Sequence, residues 1–179
     1  FSAATQETIK LAACLGHSAE AATLALICEW PEEQLHAALG QAADEGLLLR
    51  QDGSYTFLHD RVQEAAYALI PEEQRPAQHL RIGRLLAAHT PLEEREGAIF
   101  EIVNQLNRGA ALISSGEERE QLAEFNLLAA KRAKAATAYA SALTYLAAGA
   151  ALLPTDTWGR RRELTFALEL HRAECEFLT

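Results

Sequence analysis

The residues best placed to do chemistry are His59 and Asp60, in the stretch GSYTFLHDRVQEAAYALI, residues 53–70. The stretch changes character partway. Up to Leu58 it reads as a strand, and from Asp60 as a helix. An imidazole just ahead of a helix N-terminus stands where unpaired amide N–H groups and the helix dipole favour anions, so His59 is placed to reach a phosphate oxygen. Asp60 falls at the expected N-cap, where its carboxylate accepts from the first-turn amides, and Gln63 takes the capping-box position. Two structural alternatives stand beside the phosphate contact for His59: a satisfied histidine under the preceding hairpin, or a solvent-exposed one. A phospho-accepting role ranks below these, because no dimerising helical hairpin surrounds the residue.

Other chemistry is thinly represented. No GxxxxGK[ST] loop and no Walker B strand is present, so the chain alone is expected neither to bind nor to hydrolyse nucleotide. No Ser-His-Asp grouping carries a nucleophile-elbow sequence. The Glu pairs at 32–33, 72–73, 93–94 and 117–118 cluster near helix starts, where dipole and capping explain them. Cys14, Cys28 and Cys175 are widely separated and suggest three buried thiols in a reducing compartment. His17, His36, His79, His89 and His171 are scattered and suggest no metal set; His171, beside Leu168, Leu170 and Ala173, is expected in the core. The chain is therefore expected to be no enzyme in itself.

The elements that position His59 follow from periodicity and punctuation. AATQETIKLAACL (3–15) is helical, with Gly16 as its stop. Ser18 is placed to cap a second helix over AEAATLALICE. Pro31 opens a third that runs to about Glu45, with Leu35, Ala38, Leu39 and Ala42 on one face and Gly46 as the C-terminal cap. Two short strand-like runs flank Asp52-Gly53, a pair suited to a tight hairpin turn. Three helices and then a hairpin is the winged-helix order, a variant of helix-turn-helix. Helices at about 60–70 and 76–89 follow, with a boundary near 90.

The second half, 91–179, is helical throughout: about 93–107, a helix capped by Ser115 with Glu118 three residues later, two helices broken near Ala136 and Thr137, and a last one over about 157–177. It has repeat character. Ala130 fits the small position of the first helix of a tetratricopeptide pair; Ala142, Leu146 and Gly149 fit the second, and Pro154 the terminator. Asn126 and Ala129 stand where Trp and Leu are usual. The alternative is a generic Ala-rich hairpin. The fold class expected is thus mainly α: a winged-helix domain with a small β-hairpin over 1–90, then a TPR-like antiparallel helical repeat over 91–179.

Composition agrees. Of the 179 residues 36 are alanine, the best helix former, 49% are apolar and 23% charged. The net charge of −9 opposes sequence-independent binding to nucleic acid or anionic lipid. The third helix would enter a major groove, and the stretch from 29 to 45 holds Glu29, Glu32, Glu33, Asp44 and Glu45 and no Lys or Arg. The hairpin offers Arg50, with Asp52 beside it. Basic runs at 131–134 and 160–162 lie in the other half and suit a solvated helix face. A protein-contacting role fits better than a nucleic-acid one. No apolar run reaches membrane-span length. The chain contains no Met and starts at the approach to a helix, so we expect a piece of a longer cytoplasmic protein.

LHD (58–60), after a hairpin and opening a helix, resembles the MHD motif of STAND NTPases, the signal-transduction ATPases with numerous domains. That resemblance implies that His59 contacts the β-phosphate of ADP held by a neighbouring P-loop domain and so holds a closed resting form, with Asp60 as the motif Asp and helix cap. A broader likeness, through FLHDRVQEAAYALIPEEQRPAQHLRIGRLL, IFEIVNQLNRGAALI and TFALELHRAECEFL, covers nearly the whole chain. It is similar to the segment that follows the ATPase core in large bacterial sensor proteins, which join a Ser/Thr kinase-like domain, an ATPase, helical repeats, GAF or PAS sensors and a histidine kinase. It implies ATP or ADP on the full-length protein and none on this piece. The partners implied are its own upstream NTPase domain, downstream repeats or sensor domains, and a protein or ligand signal on the helical repeat. The function expected is a regulatory coupling segment. The alternatives are a passive interaction scaffold and, third, a DNA-binding regulator.

Overall fold

In the computed structural model residues 1–154, 159 and 161–179 are described. They are mainly helical, with a small three-stranded antiparallel sheet. The chain divides into two compact units, Phe1–Leu86 and Ala87–Thr179.

In the first unit Ser2 caps α1 (Ala3–Leu15), its Oγ accepting from the Thr5 amide at 3.0 Å. Gly16 ends the helix at φ 124°, a conformation that side chains disfavour. β1 (Ser18–Glu20) and α2 (Ala21–Cys28) follow. Here the structure corrects the expectation for Ser18. It caps nothing: it lies in a strand, and its hydroxyl meets Thr56 Oγ1 at 2.8 Å. α2 needs no side-chain cap at its first amide, because Ala21 N–H donates to the Gly53 carbonyl at the tip of the hairpin, 2.8 Å away. A three-residue strand is too short to show alternation in sequence.

α3 (Glu32–Asp44) begins after Pro31, which takes the N-cap rather than the first helical position. It ends as expected at Gly46, φ 73°, where the amides of Gly46 and Leu47 return to the carbonyls of Ala43 and Ala42 at 3.0 and 2.9 Å. This paired return is the Schellman closure. β2 (Leu48–Gln51) and β3 (Ser54–Phe57) then form the hairpin. Asp52 and Gly53 take φ 50° and 76°, the two left-handed positions that a two-residue turn matching strand twist requires. Sheet order is β1-β3-β2, both neighbours antiparallel to β3. Leu24 and Ile27 of α2, Leu35 and Leu39 of α3, and Phe57 of β3 are fully buried. Each contributes about 1.5–3 kcal/mol by leaving water.

α4 (Asp60–Ala68) and α5 (Arg75–His89) follow, joined by a 3-10 turn at Glu72–Gln74. Tyr67 of α4 bonds His79 Nε2 of α5 at 2.8 Å through its hydroxyl. The Arg75 guanidinium lies 4.8 Å from the Tyr67 ring centre, and its Nε donates to the Ile70 carbonyl at 3.0 Å.

The second unit holds α6 (Arg95–Gly109), α7 (Gly116–Ala135), α8 (Tyr139–Leu152) and α9 (Arg162–Phe177). Ser115 caps α7 as expected, accepting from the Glu118 amide at 3.3 Å. The expected break falls at Thr137, φ 59°. α9 begins at Arg162; the expected start of that helix at 157 and Arg160 of the basic run lie outside the described residues.

Small residues set the spacing of α7, α8 and α9. Ala123, Ala130, Ala133 and Ala142 are buried together with Leu146, Leu164, Leu168 and Cys175. A Cβ on Gly149 would lie 3.1 Å from both Asn126 Cβ and Leu168 Cδ2, and 3.4 Å from the Ala123 carbonyl oxygen. Asn126 is fully buried and satisfied. It exchanges amide bonds with Asn107 of α6, both at 2.9 Å, and donates to the Leu122 carbonyl at 2.9 Å.

Two Gly→Ala substitutions should therefore change stability in opposite directions. Gly40 lies within α3 with open space where a Cβ would go. Gly40→Ala is expected to stabilise by up to about 1 kcal/mol through helix propensity. Gly149→Ala gains the same propensity but overpacks, and is expected to destabilise by about 1–3 kcal/mol. Urea unfolding of the two variants checks this; stabilisation by both would show that the α7–α8–α9 contact is not close.

Candidate functional site

β3 is the middle strand, and its end is held from both sides. The Phe57 amide donates to the His17 carbonyl at 2.9 Å, and the Leu58 amide to the Leu47 carbonyl at 3.1 Å. From this clamped end the chain leaves as His59, extended at φ −141° and ψ 138° and exposed to solvent. His59 is itself the N-cap residue. Its carbonyl accepts from the amides of Val62 and Gln63 at 2.9 and 3.4 Å, and no side chain caps the helix. The first turn of α4 thus has no side-chain cap and adjoins an exposed imidazole, an arrangement that attracts anions.

The expected role of Asp60 as helix cap is overturned. Asp60 is the first residue inside α4, and its Oδ1 lies 3.1 Å from His17 Nδ1. His17 arrives there because β1, which it precedes, pairs with β3. The expected capping box fails for a similar reason. Gln63 turns away and donates to the Ala13 carbonyl at 3.0 Å. That carbonyl lies in the last turn of α1, where no amide of the same helix follows to bond it. Gln63 thus closes α1 from α4. The structure brings together His59, Asp60 and His17, the last of which sequence reasoning did not connect with the pair. No fixed spacing links 17 to 60, so no local signal pointed to it.

A second polar group ties α3 to the hairpin. His36 Nδ1 meets the Tyr55 hydroxyl at 2.7 Å, and Arg50 Nη2 meets His36 Nε2 at 3.1 Å. Arginine only donates, so neutral His36 accepts at Nε2 and carries its proton on Nδ1. Burial pushes the Tyr55 hydroxyl above its ordinary pKa, partly offset by the Arg50 charge. Arg50, the hairpin cation, is thereby turned inward onto the protein.

Three members of the basic runs of the second unit, Arg132, Lys134 and Arg161, are engaged within the protein. Arg132 donates to the Gly97 carbonyl at 2.9 Å and lies 5.0 Å from the Phe100 ring centre. Lys134 pairs with Glu174, and Arg161 with Glu120 and Glu124. His171, expected in the core, is instead half-buried, its Nδ1 at 2.9 Å from Glu174 Oε2. The Lys134 hydrogen bond, followed by that from His171, holds the Glu174 carboxyl below the usual carboxylate range.

Cys14 and Cys175 are buried. Burial pushes the half-buried Cys28 thiol up to about 11, so it stays protonated at neutral pH and is a poor nucleophile. Among the described residues no group of three or more His, Cys, Asp or Glu side chains is arranged to hold a metal ion. None of the described helices is long and apolar enough to cross a membrane.

No protein-family model matches the chain, and no solved structure does. The chain is similar to a hybrid signal transduction histidine kinase G of Dictyostelium discoideum, with 28% identity over 148 residues, 69% of this chain. The match spans 4% of that protein's length.

Removing side chains at the joint separates structural from exposed groups. Gln63→Ala leaves the Ala13 carbonyl without its donor and is expected to destabilise by about 1 kcal/mol. His59→Ala and Asp60→Asn touch only exposed groups and should leave the thermal midpoint within about 1 °C of the parent, as exposed ion pairs contribute little. Differential scanning calorimetry checks all three. In acid, Glu174 sets a direction. Its folded pKa is depressed, so its contribution is present above the unfolded pKa and is lost as pH falls through the folded value. Glu174→Gln should therefore flatten the fall in stability on acidification; an unchanged slope in pH-dependent melts would show that the carboxylate is not held.

Proposed function

We propose that the first unit is a winged-helix module, the second a TPR-like repeat, and the whole a non-catalytic regulatory segment of a signalling protein. In this reading His59 reports the nucleotide state of a P-loop domain carried elsewhere in the same polypeptide. The observation that carries the proposal is the position of His59: exposed, fixed by a clamped strand end, and next to a helix N-terminus that no side chain caps. The order of helices, strand and hairpin in the first unit fits a winged helix. The close α7–α8 pair around Ala130, Ala142, Leu146 and Gly149 fits a TPR-like pair. Likeness to a signal transduction histidine kinase is consistent with a signalling role.

The mechanism asks little of the chain itself. ADP or ATP is bound by the P-loop domain, and this segment adds one donor to a phosphate oxygen. A hydrogen bond to a charged group contributes about 1.5–3 kcal/mol, a bias of roughly ten- to a hundredfold between closed and open forms. A partner engaged by the helical unit can overcome a bias of that size. Catalysis belongs to other domains, in the cytoplasm.

The test is calorimetric titration of ADP into the full-length protein. His59→Ala is expected to weaken ADP by about ten- to a hundredfold, while the 179-residue segment alone binds none. Equal ADP affinity in variant and parent overturns the nucleotide role and leaves an interaction scaffold.

A further inference from the structure

An open trough runs along one side of α8 in the second unit. Ser141, Thr144, Tyr145, Ala148, Ala151 and Leu152 lie on one face of that helix and form one wall. Ala142, Leu146 and Gly149, which pack into the core, lie on another face. The facing wall is the end of α6, with Asn104, Asn107 and Arg108, and the 3-10 turn after it, with Ala110 and Ala111. Arg119, from the second turn of α7, also lines it. The walls are tied where the Tyr145 hydroxyl donates to Asn104 Oδ1 at 3.0 Å.

The lining selects by charge. In a chain of net charge −9, the two charged side chains along this trough are both arginines, and no carboxylate lines it among the described residues. Arg119 Nε donates to the Ile113 carbonyl at 2.8 Å, which fixes the guanidinium in place. Unlike Arg132, Lys134 and Arg161, neither Arg108 nor Arg119 pairs with an acid or carbonyl that would use up its charge, apart from that one Nε bond. Two guanidiniums without carboxylates draw an anionic ligand.

The lining also selects by backbone. Asn104 gives its oxygen to Tyr145 and keeps its NH2 group without a partner among the described residues. Asn107 uses one donor and one lone pair on Asn126 and retains a second of each. Carboxamides match the N–H and C=O of an extended chain, whereas a helix has already satisfied its own. The floor of alanines leaves room for small side chains and offers no anchor for large ones. From Ser141 to Leu152 the wall is about 16 Å long at 1.5 Å per residue, the length of about five extended residues. A nucleic acid suits the trough less. Two cations neutralise little phosphate, and the one aromatic ring of the lining, Tyr145, already lies against Phe100, ring centres 5.7 Å apart.

We propose that the trough between α6 and α8 binds an extended acidic peptide segment of about five residues, with small side chains on the alanine floor and carboxylates on Arg108 and Arg119. This names the chemistry of the partner that the proposed coupling role calls for and rests on that reading for its purpose. Its test uses no nucleotide, so its failure and that of the ADP titration are read apart.

Two fluorescein-labelled pentapeptides test it, Glu-Ala-Glu-Ala-Glu and Lys-Ala-Lys-Ala-Lys. In anisotropy titrations of the 179-residue chain at low salt, the Glu peptide should bind at least about tenfold more tightly than the Lys peptide, and the difference should shrink in high salt. Arg108→Glu changes an exposed side chain, so circular dichroism should stay that of the parent while binding of the Glu peptide falls by about tenfold or more. Lys131→Glu removes an exposed cation of α7 that does not line the trough and should change binding by less than about twofold. Binding of neither peptide, equal binding of both, or equal losses in the two variants overturns the proposal. Displacement of the Glu peptide by single-stranded oligodeoxythymidylate would assign the trough to a nucleic acid and overturn it likewise.

Discussion

The first unit depends on the central place of β3. Tyr55 and Phe57 point from it into the core, and its backbone is bonded on both edges, to β1 and to β2. Its last amides are fixed by the carbonyls of His17 and Leu47. The residue after such a strand has little freedom, so the backbone of His59 leaves the sheet in one direction. Had β3 been an edge strand, one of those carbonyls would be missing and the joint would be looser. The short β1 has a role beyond its length. It closes the second edge, delivers His17 to Asp60, and places the Gly53 carbonyl over the start of α2.

What was legible in the sequence divides along a physical line. Features made by neighbours in the chain were readable: the two-residue turn at Asp52-Gly53, the helix stops at Gly16 and Gly46, the Ser115 cap, and the break at Thr137. At the turn, the two glycine stops and the Ser115 cap, the residue type is demanded by a backbone angle or by an amide three residues away, whereas Thr137 is a β-branched residue at φ 59°, an angle that does not favour it. Features made by distant partners were not. Ser18 looks like a cap until Thr56 supplies a strand for it, and Asp60 looks like a cap until His17 draws off its carboxylate. His171 has apolar neighbours in sequence, but the helix turns it towards Glu174 and Lys134. The exposure of His59 was one of three open alternatives, because a lone His at a strand end carries no periodicity that tells inside from outside.

The second unit shows why a weak repeat pattern still gives close packing. Gly149 lets α8 approach α7 and α9 until only a hydrogen fits. Asn126 takes a position where a large apolar residue is usual, and a buried amide there without partners would cost about 1–3 kcal/mol. Asn107 removes that cost by matching it bond for bond. The departure at Asn126, a mismatch by sequence alone, is thus one half of a pair whose other half lies on α6. A pair of this kind favours one register, since sliding α6 against α7 would break both bonds between the two amides and leave Asn126 only its bond to the Leu122 carbonyl.

Charge decides what His59 can and cannot do. The chain carries −9 overall, α3 presents acids without a balancing Lys or Arg, and Arg50 is bonded to His36. A free nucleotide approaching this surface meets net repulsion. Against that stands one imidazole and the amides of one short helix. A single charge-assisted bond contributes about 1.5–3 kcal/mol, while even a millimolar affinity needs about 4 kcal/mol. The joint is therefore too weak to recruit a phosphate and strong enough to bias one. In the proposed function, the anion that His59 would touch is therefore one already neutralised and held by a cradle of positive charge and amides elsewhere. Under that reading a binding loop would supply affinity, and a histidine placed like His59 would supply only the difference between two arrangements of the same bound ligand.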